Sequence, residues 1–140
     1  MRYKNKNLTI ENIKVDFIAK KFNTPCYCYS YKKLRENTEN FKNNFRDINP
    51  RTCFAGKANP NKIILKELGK LGLGADVVSI GELMKALKSG IKPNKIVFSG
   101  VGKNSNEIDY AIKKKILLIN AESKNEILNI EKLAKINKKK

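Results

Sequence analysis

The chain has 140 residues, of which 30 are lysine or arginine and 13 aspartate or glutamate, giving a formal net charge of +17. That length allows one ordinary domain with a real core but falls short of a closed (β/α)8 barrel, which takes about 250 residues. The absence of histidine excludes every His-based catalytic device, and three cysteines on their own leave most zinc sites without a ligand set.

The polar start, Met1 to Asn7, is followed by no hydrophobic signal core, and no apolar stretch approaches the length of a membrane span. A cytoplasmic protein without a membrane partner is expected. Ile10 to Phe22 has the apolar spacing of an amphipathic helix, broken by Asn23-Thr24-Pro25. Cys26 to Ser30 reads as a strand, with Cys26 and Cys28 sharing a face as small residues in a reducing compartment. A helix follows to Phe45, placing Leu34, Thr38, Phe41 and Phe45 on one side, and Asp47 to Pro50 is a loop.

Strand and helix then alternate, which predicts a parallel sheet. The strands are Thr52 to Gly56, Ala75 to Val78, Lys95 to Ser99 and Ile116 to Asn120. The first helix takes Asn59 as N-cap and Pro60 at its first position, and ends near Leu71 where Gly72 follows. The others run from Ile80 to Ser89, from Asn104 or Ser105 to Lys114, and from Ser123 into the lysine tail. Four such units after a leading strand and helix make half of an eightfold barrel.

Lys57 ends a short apolar run, Cys53-Phe54-Ala55-Gly56, just before a helix start. Alternation along a strand over 52–56 sends Cys53, Ala55 and Lys57 to one face and Phe54 and Gly56 to the other. In a barrel mouth such an amine is desolvated, which lowers its pKa from about 10.4 toward neutrality and suits it to Schiff-base chemistry. Its neighbourhood is what separates it from the many surface lysines of so basic a chain.

Three blocks carry that distinction: Phe54-Ala55-Gly56-Lys57-Ala58-Asn59, Leu71-Gly72-Leu73-Gly74-Ala75-Asp76-Val77-Val78-Ser79-Ile80-Gly81-Glu82-Leu83, and Ile96-Val97-Phe98-Ser99-Gly100-Val101-Gly102-Lys103. With Ile119-Asn120-Ala121-Glu122-Ser123 they resemble, in order and spacing, the diaminopimelate decarboxylases. These belong with ornithine and arginine decarboxylases to the pyridoxal 5'-phosphate (PLP) enzymes on an alanine-racemase-like barrel. Several blocks in register are far more specific than any one alone. The resemblance covers roughly residues 24 to 136. The tyrosine-glycine continuation of racemases does not follow Lys57, where Ala-Asn-Pro-Asn stands instead.

The resemblance implies the N-terminal half of a TIM barrel, not closed in this chain, with Lys57 holding PLP. It divides the chain into an N-terminal polar segment and helix (1–23), a partial PLP-binding barrel domain (24–137) and a basic tail (138–140). It implies α-decarboxylation of meso-2,6-diaminopimelate to L-lysine and CO2, with ornithine or arginine as the alternative substrates. The phosphate-binding residues, a C-terminal β domain and the second subunit of a homodimer lie outside the chain. The chain by itself is therefore expected to be inactive, a truncated or decayed product or one completed by a complementary C-terminal chain.

Asp76 falls inside an apolar strand, where an unpaired carboxylate is costly, so a partner such as a nearby amine is expected. The resemblance carries Asp76 and Glu82 onto acidic positions near the cofactor lysine. A structural ion pair is the other reading of Asp76. For Glu82 it is a capping box, Ser79-Ile80-Gly81-Glu82. Ser123-Lys124-Asn125-Glu126 is a second such box. Gly100 and Gly102 read as a tight turn at the barrel's active end, with Lys103 at the pocket edge. By the resemblance Gly56 stands where relatives carry a larger apolar residue, on the outer face of its strand. A basic nucleic-acid-binding module is the reading from another class. Against it, the lysines are spread along the chain among asparagine and isoleucine, the aromatic residues sit at core-like positions, and Lys138-Lys139-Lys140 is the one terminal run.

Overall fold

Parallel strands cannot be joined by tight turns, so each must be followed by a crossover that covers one face of the sheet. The computed structural model, which describes residues 1–48 and 50–139, shows this arrangement in the second of two compact units, Asp47–Lys140. Asn49, in the expected loop, and Lys140, in the basic run, lie outside the described residues.

The first unit is Met1–Arg46. Its strands β1 (Arg2–Lys4), β2 (Asn7–Ile10) and β3 (Ile13–Lys14) form an antiparallel meander. Positive φ at Asn5 and Lys6 (49° and 63°) makes the tight turn that pairs Arg2 with Thr9. Helix α1 is consequently shorter than the expected Ile10–Phe22 and runs over Val15–Phe22. The apolar spacing that suggested a longer helix also fits two short strands, since Leu8 and Ile10 alternate. Residues 26–30 do not form the expected strand. They join no strand ladder in their unit, and a strand exists only through its ladder. Helix α2 (Tyr31–Asn44) starts at Ser30, whose side chain accepts from Lys33 N. Glu11 takes the Ser30 hydroxyl at 2.8 Å and Lys32 N at 2.9 Å, tying the meander to that helix start.

The second unit carries β4 (Cys53–Ala55), α3 (Lys62–Lys70), β5 (Gly74–Val77), α4 (Ile80–Lys88), β6 (Ile96–Phe98), α5 (Ser105–Lys114), β7 (Leu118–Ile119) and α6 (Lys124–Ile136). Strand order is β4-β5-β6-β7, all parallel, with the sheet open at both edges. Register places Ala55, Asp76, Val97 and Leu118 side by side. Ala75, Val77, Ile96 and Phe98 face the helices and form the core with Leu65, Leu83, Ala86 and Ala111. Each large side chain buried there contributes about 1.5–3 kcal/mol. The opposite face, the inside of a barrel, holds Cys53, Ala55, Asp76, Val97, Ser99, Leu118 and Asn120, and Leu118 is exposed on it.

Two features shape the carboxyl edge of this sheet. The turn after β6 passes against β5 so closely that a Cβ on Gly100 would collide with the carbonyl of Val78, whereas Gly102 is required by its φ of 69°. The same turn delivers Lys103 inward. Its side chain is 1% exposed, and the ammonium bonds the Gly100 carbonyl, the Asn120 carbonyl (2.9 Å) and Glu126 Oε1 (2.9 Å), 5.6 Å from the Phe98 ring centre. Glu126 Oε2 accepts from Glu122 N at 2.8 Å. Burial pushes the Glu126 carboxyl up, but the Glu122 N–H and the Lys103 ammonium outweigh it and leave the pKa below the usual carboxylate value.

Gly100→Ala is expected to destabilise the chain by about 1–3 kcal/mol in denaturant unfolding, through overpacking against the Val78 backbone. Lys103→Met leaves Glu126 buried without its partner and costs roughly 3 kcal/mol or more. Because the folded-state pKa of Glu126 is depressed, its contribution is present above the unfolded pKa and is lost as pH falls through the folded value. Stability measured from pH 6 downward, about two pH units above the ordinary carboxylate pKa, is therefore expected to fall less steeply in Glu126→Gln than in the wild type.

Candidate active site

Strand β4 ends at Ala55, and the chain turns at once into a single 3-10 turn, Gly56–Ala58, that carries Lys57. Gly56 permits this. It is buried, and a Cβ there would lie 3.2 Å from Glu82 Oε2 and 3.3 Å from the Asp76 carbonyl oxygen. The turn thus packs against β5 and α4. Gly56 therefore sits tightly against α4, where a Cβ would require the Glu82 carboxylate to give by a few tenths of an ångström. Strand alternation stops two residues before Lys57 and does not set its direction. Lys57 emerges at the carboxyl end of the sheet and is exposed. The desolvation expected for it is not provided here, since four strands make an open sheet without the walls of a barrel.

Helix α3 also starts later than expected. Its N-cap is Asn61, which accepts from Ile63 N at 2.9 Å, while Asn59 accepts from Asn61 N at 3.1 Å. Two successive asparagine turns outcompete Asn59 and Pro60 as a helix start, so Asn59-Pro60-Asn61 separates Lys57 from the helix.

Asp76 points to the inner face of β5, as alternation predicts, but its partner is a hydroxyl and not an amine. Ser99 donates to Asp76 Oδ1 at 2.6 Å, and Asn120 Nδ2 donates to Ser99 Oγ at 2.9 Å. A polar chain therefore crosses three adjacent strand ends, β5, β6 and β7. Among the described residues neither Asp76 nor Glu82 is ion-paired with Lys57. Ser99 and Asn120 were missed as site residues in the sequence. Each is the polar residue that ends an apolar strand on the face of Asp76, a signal that period-two reading contains.

Glu82 makes half of the expected capping box. Ser79 Oγ accepts from Glu82 N at 3.3 Å, but the Glu82 carboxylate accepts from Val78 N at 3.0 Å, one residue before the cap. Glu126 repeats this pattern: Ser123 Oγ accepts from Glu126 N at 3.1 Å and the carboxylate takes Glu122 N. In both places the glutamate turns toward the strand end. The amide of Ile80 is met instead by Glu107 Oε1 at 3.2 Å, whose other oxygen closes a full capping box on Asn104 N. Asn104-Ser105-Asn106-Glu107 has the spacing that announces such a box, so the link from α5 to α4 was half legible.

Lys103 is not a pocket-edge residue. Its ammonium is buried among three oxygens behind the Gly100–Gly102 turn, and a long side chain can fold back where a short one would reach out. Cys53 lies on the inner face nearer the amino ends of the strands. Burial pushes its thiol up and the Asp76 charge adds to this, against Arg51 and Lys95. A recess of about 480 Å³ opens there between Arg51, Cys53, Gly74 and Lys95, at the end of the sheet opposite Lys57.

An amine, two carboxylates and a serine-asparagine pair thus gather at the carboxyl edge of a parallel sheet, where α/β folds place ligands. The family model for the pyridoxal binding domain of pyridoxal-dependent decarboxylases matches residues 31–139. A diaminopimelate decarboxylase of Helicobacter pylori strain J99 is 50% identical over 113 residues, 81% of this chain and 28% of the relative. One from Aquifex aeolicus is 41% identical over 140 residues, 99% of this chain and 33% of the relative. The crystal structure of diaminopimelate decarboxylase from M. jannaschii in co-complex with L-lysine superimposes with a TM-score of 0.93 at 34% identity, covering 98% of this chain and 33% of that one. The chain thus spans about a third or less of the length of the relatives it matches. It belongs to the pyridoxal-dependent decarboxylases and forms part of their pyridoxal binding domain.

Proposed function

We propose that this chain is the cofactor-lysine-bearing N-terminal part of a diaminopimelate decarboxylase, which converts meso-2,6-diaminopimelate to L-lysine and CO2 in the cytoplasm. The observation that carries the reading is Lys57 just past the carboxyl end of β4, two residues after Ala55, whose partner on the next strand is Asp76, in a chain 50% identical over 113 residues to an enzyme of that name. The remaining barrel strands, the β domain and the homodimer partner come from polypeptide beyond these residues, in the same chain or a complementary one.

The residues present fit the aldehyde end of PLP. A primary amine stands exposed at the sheet edge, and a carboxylate held by Ser99 lies on the adjacent strand. They do not supply its phosphate end, because Lys103 is committed to Glu126 behind the glycine turn. When bound, PLP supplies an electron sink for the pair left by departing CO2.

The work of this chain is then attachment and positioning. Lys57 would hold the cofactor through its amine. Asp76, on the strand next to β4, would favour the charged form of a nitrogen held near it. Glu82, fixed by Val78 N and packed on Gly56, seats the turn that carries Lys57.

The chain mixed with PLP and treated with borohydride is expected to carry a fixed pyridoxyl group preferentially on the Lys57 peptide in mass mapping. Lys57→Ala is expected to lose that adduct and keep only weak, scattered labelling of other lysines. An even distribution over the lysines of the wild type, or a pattern unchanged by Lys57→Ala, would overturn the reading.

A further inference from the structure

We infer that Ser99 and Asn120 are positioning residues that fix the Asp76 carboxylate for the chemistry at Lys57. The inference rests on the reading of Lys57 as the cofactor lysine and extends it to two residues to which no role is otherwise attached.

The geometry determines the direction of each bond. A carboxylate only accepts, so the single Ser99 proton is committed to Asp76 Oδ1 at 2.6 Å. The hydroxyl oxygen then has only lone pairs left, and the group facing it from Asn120 must be the amide NH2, which donates at 2.9 Å. The order Asn120 to Ser99 to Asp76 is therefore the consistent one. One carboxylate oxygen is held, which sets the plane of the other.

The relay has a fixed anchor. The backbone carbonyl of Asn120 is bonded by the Lys103 ammonium at 2.9 Å, and that ammonium is itself held by Glu126 and the Gly100 carbonyl. Ser99 is fixed independently, its amide donating to the Val77 carbonyl at 2.8 Å. Asn120 and Ser99 are thus each held through their own backbone. A serine aimed at the carboxylate and an asparagine aimed at that serine, from two neighbouring strands, are what orientation of that carboxylate requires.

The test is a cycle of variants of the whole chain, scored by borohydride trapping of PLP at the Lys57 peptide. Ser99→Ala is expected to lower the trapped fraction at Lys57 by about tenfold, the worth of a hydrogen bond to a charged group. Asn120→Ala should lower it less, and Ser99→Thr, which keeps the hydroxyl, should restore it. In an Asp76→Asn background Ser99→Ala should have no further effect, because its action runs through Asp76. Thermal unfolding of each variant separates these changes from loss of fold, and Asn120→Ala, at an exposed position, serves if Ser99→Ala does not fold. An unchanged yield in Ser99→Ala and Asn120→Ala, or an equal loss with and without the Asp76 carboxylate, overturns the inference and leaves Lys57 as cofactor lysine. A wild type with no preference for Lys57 removes both.

Discussion

A lysine ammonium with a side chain 1% exposed has to find acceptors where it lies, and Lys103 finds them on three separate segments. Its bonds to Gly100, Asn120 and Glu126 clamp the turn after β6, the end of β7 and the start of α6 to one point. The polar chain across the ends of β5, β6 and β7 is built outward from that clamp. Asn120 is held in place, Asn120 holds Ser99, and Ser99 holds Asp76. The charge that in isolation looks like one more basic surface residue is the element that gives a short open sheet a defined working edge.

The glutamates of α4, α5 and α6 extend the same logic. A glutamate three residues after a cap ordinarily closes on its own helix. In α5 it does so, and its second oxygen reaches Ile80 at the start of α4. In α4 and α6 it reaches one residue further back, to the last residues of the strand-end loop. Helix starts are thereby joined to strand ends, the glutamate carboxylates accepting from the Val78 and Glu122 amides that precede the helix caps. Gly56 fits one consequence of this, since the Glu82 carboxylate oxygen lies 3.2 Å from where its Cβ would stand.

Much of this was legible in the sequence. The alternating α/β pattern, the parallel sheet, the inward direction of Asp76 and the place of Lys57 at a strand end all follow from periodicity and from blocks of residues in register. What was not legible depended on partners far apart in the chain. Cys26 to Ser30 has strand-like composition but joins no strand ladder in its own unit, and composition does not report a missing ladder. Residues 10–14 are too few to tell strand from the start of the helix expected at Ile10. A charged group is the obvious partner for a carboxylate in an apolar strand, whereas a serine 23 residues on supplies the contact to Asp76. Lys103 was placed at the pocket edge because its turn is there. Its side chain goes the other way, to a glutamate that reads as an ordinary helix cap.

The account places ligand chemistry at the carboxyl ends of β4 to β7 and not in the recess at their amino ends. Backbone amide shifts of the labelled chain, followed as PLP is added, test this most directly. The account predicts perturbations concentrated on Gly56 to Ala58, Asp76 to Ser79, Ser99 to Lys103 and Asn120 to Glu122. Perturbations concentrated on Arg51 to Cys53, Gly72 to Gly74 and Asn94 to Lys95 would contradict it.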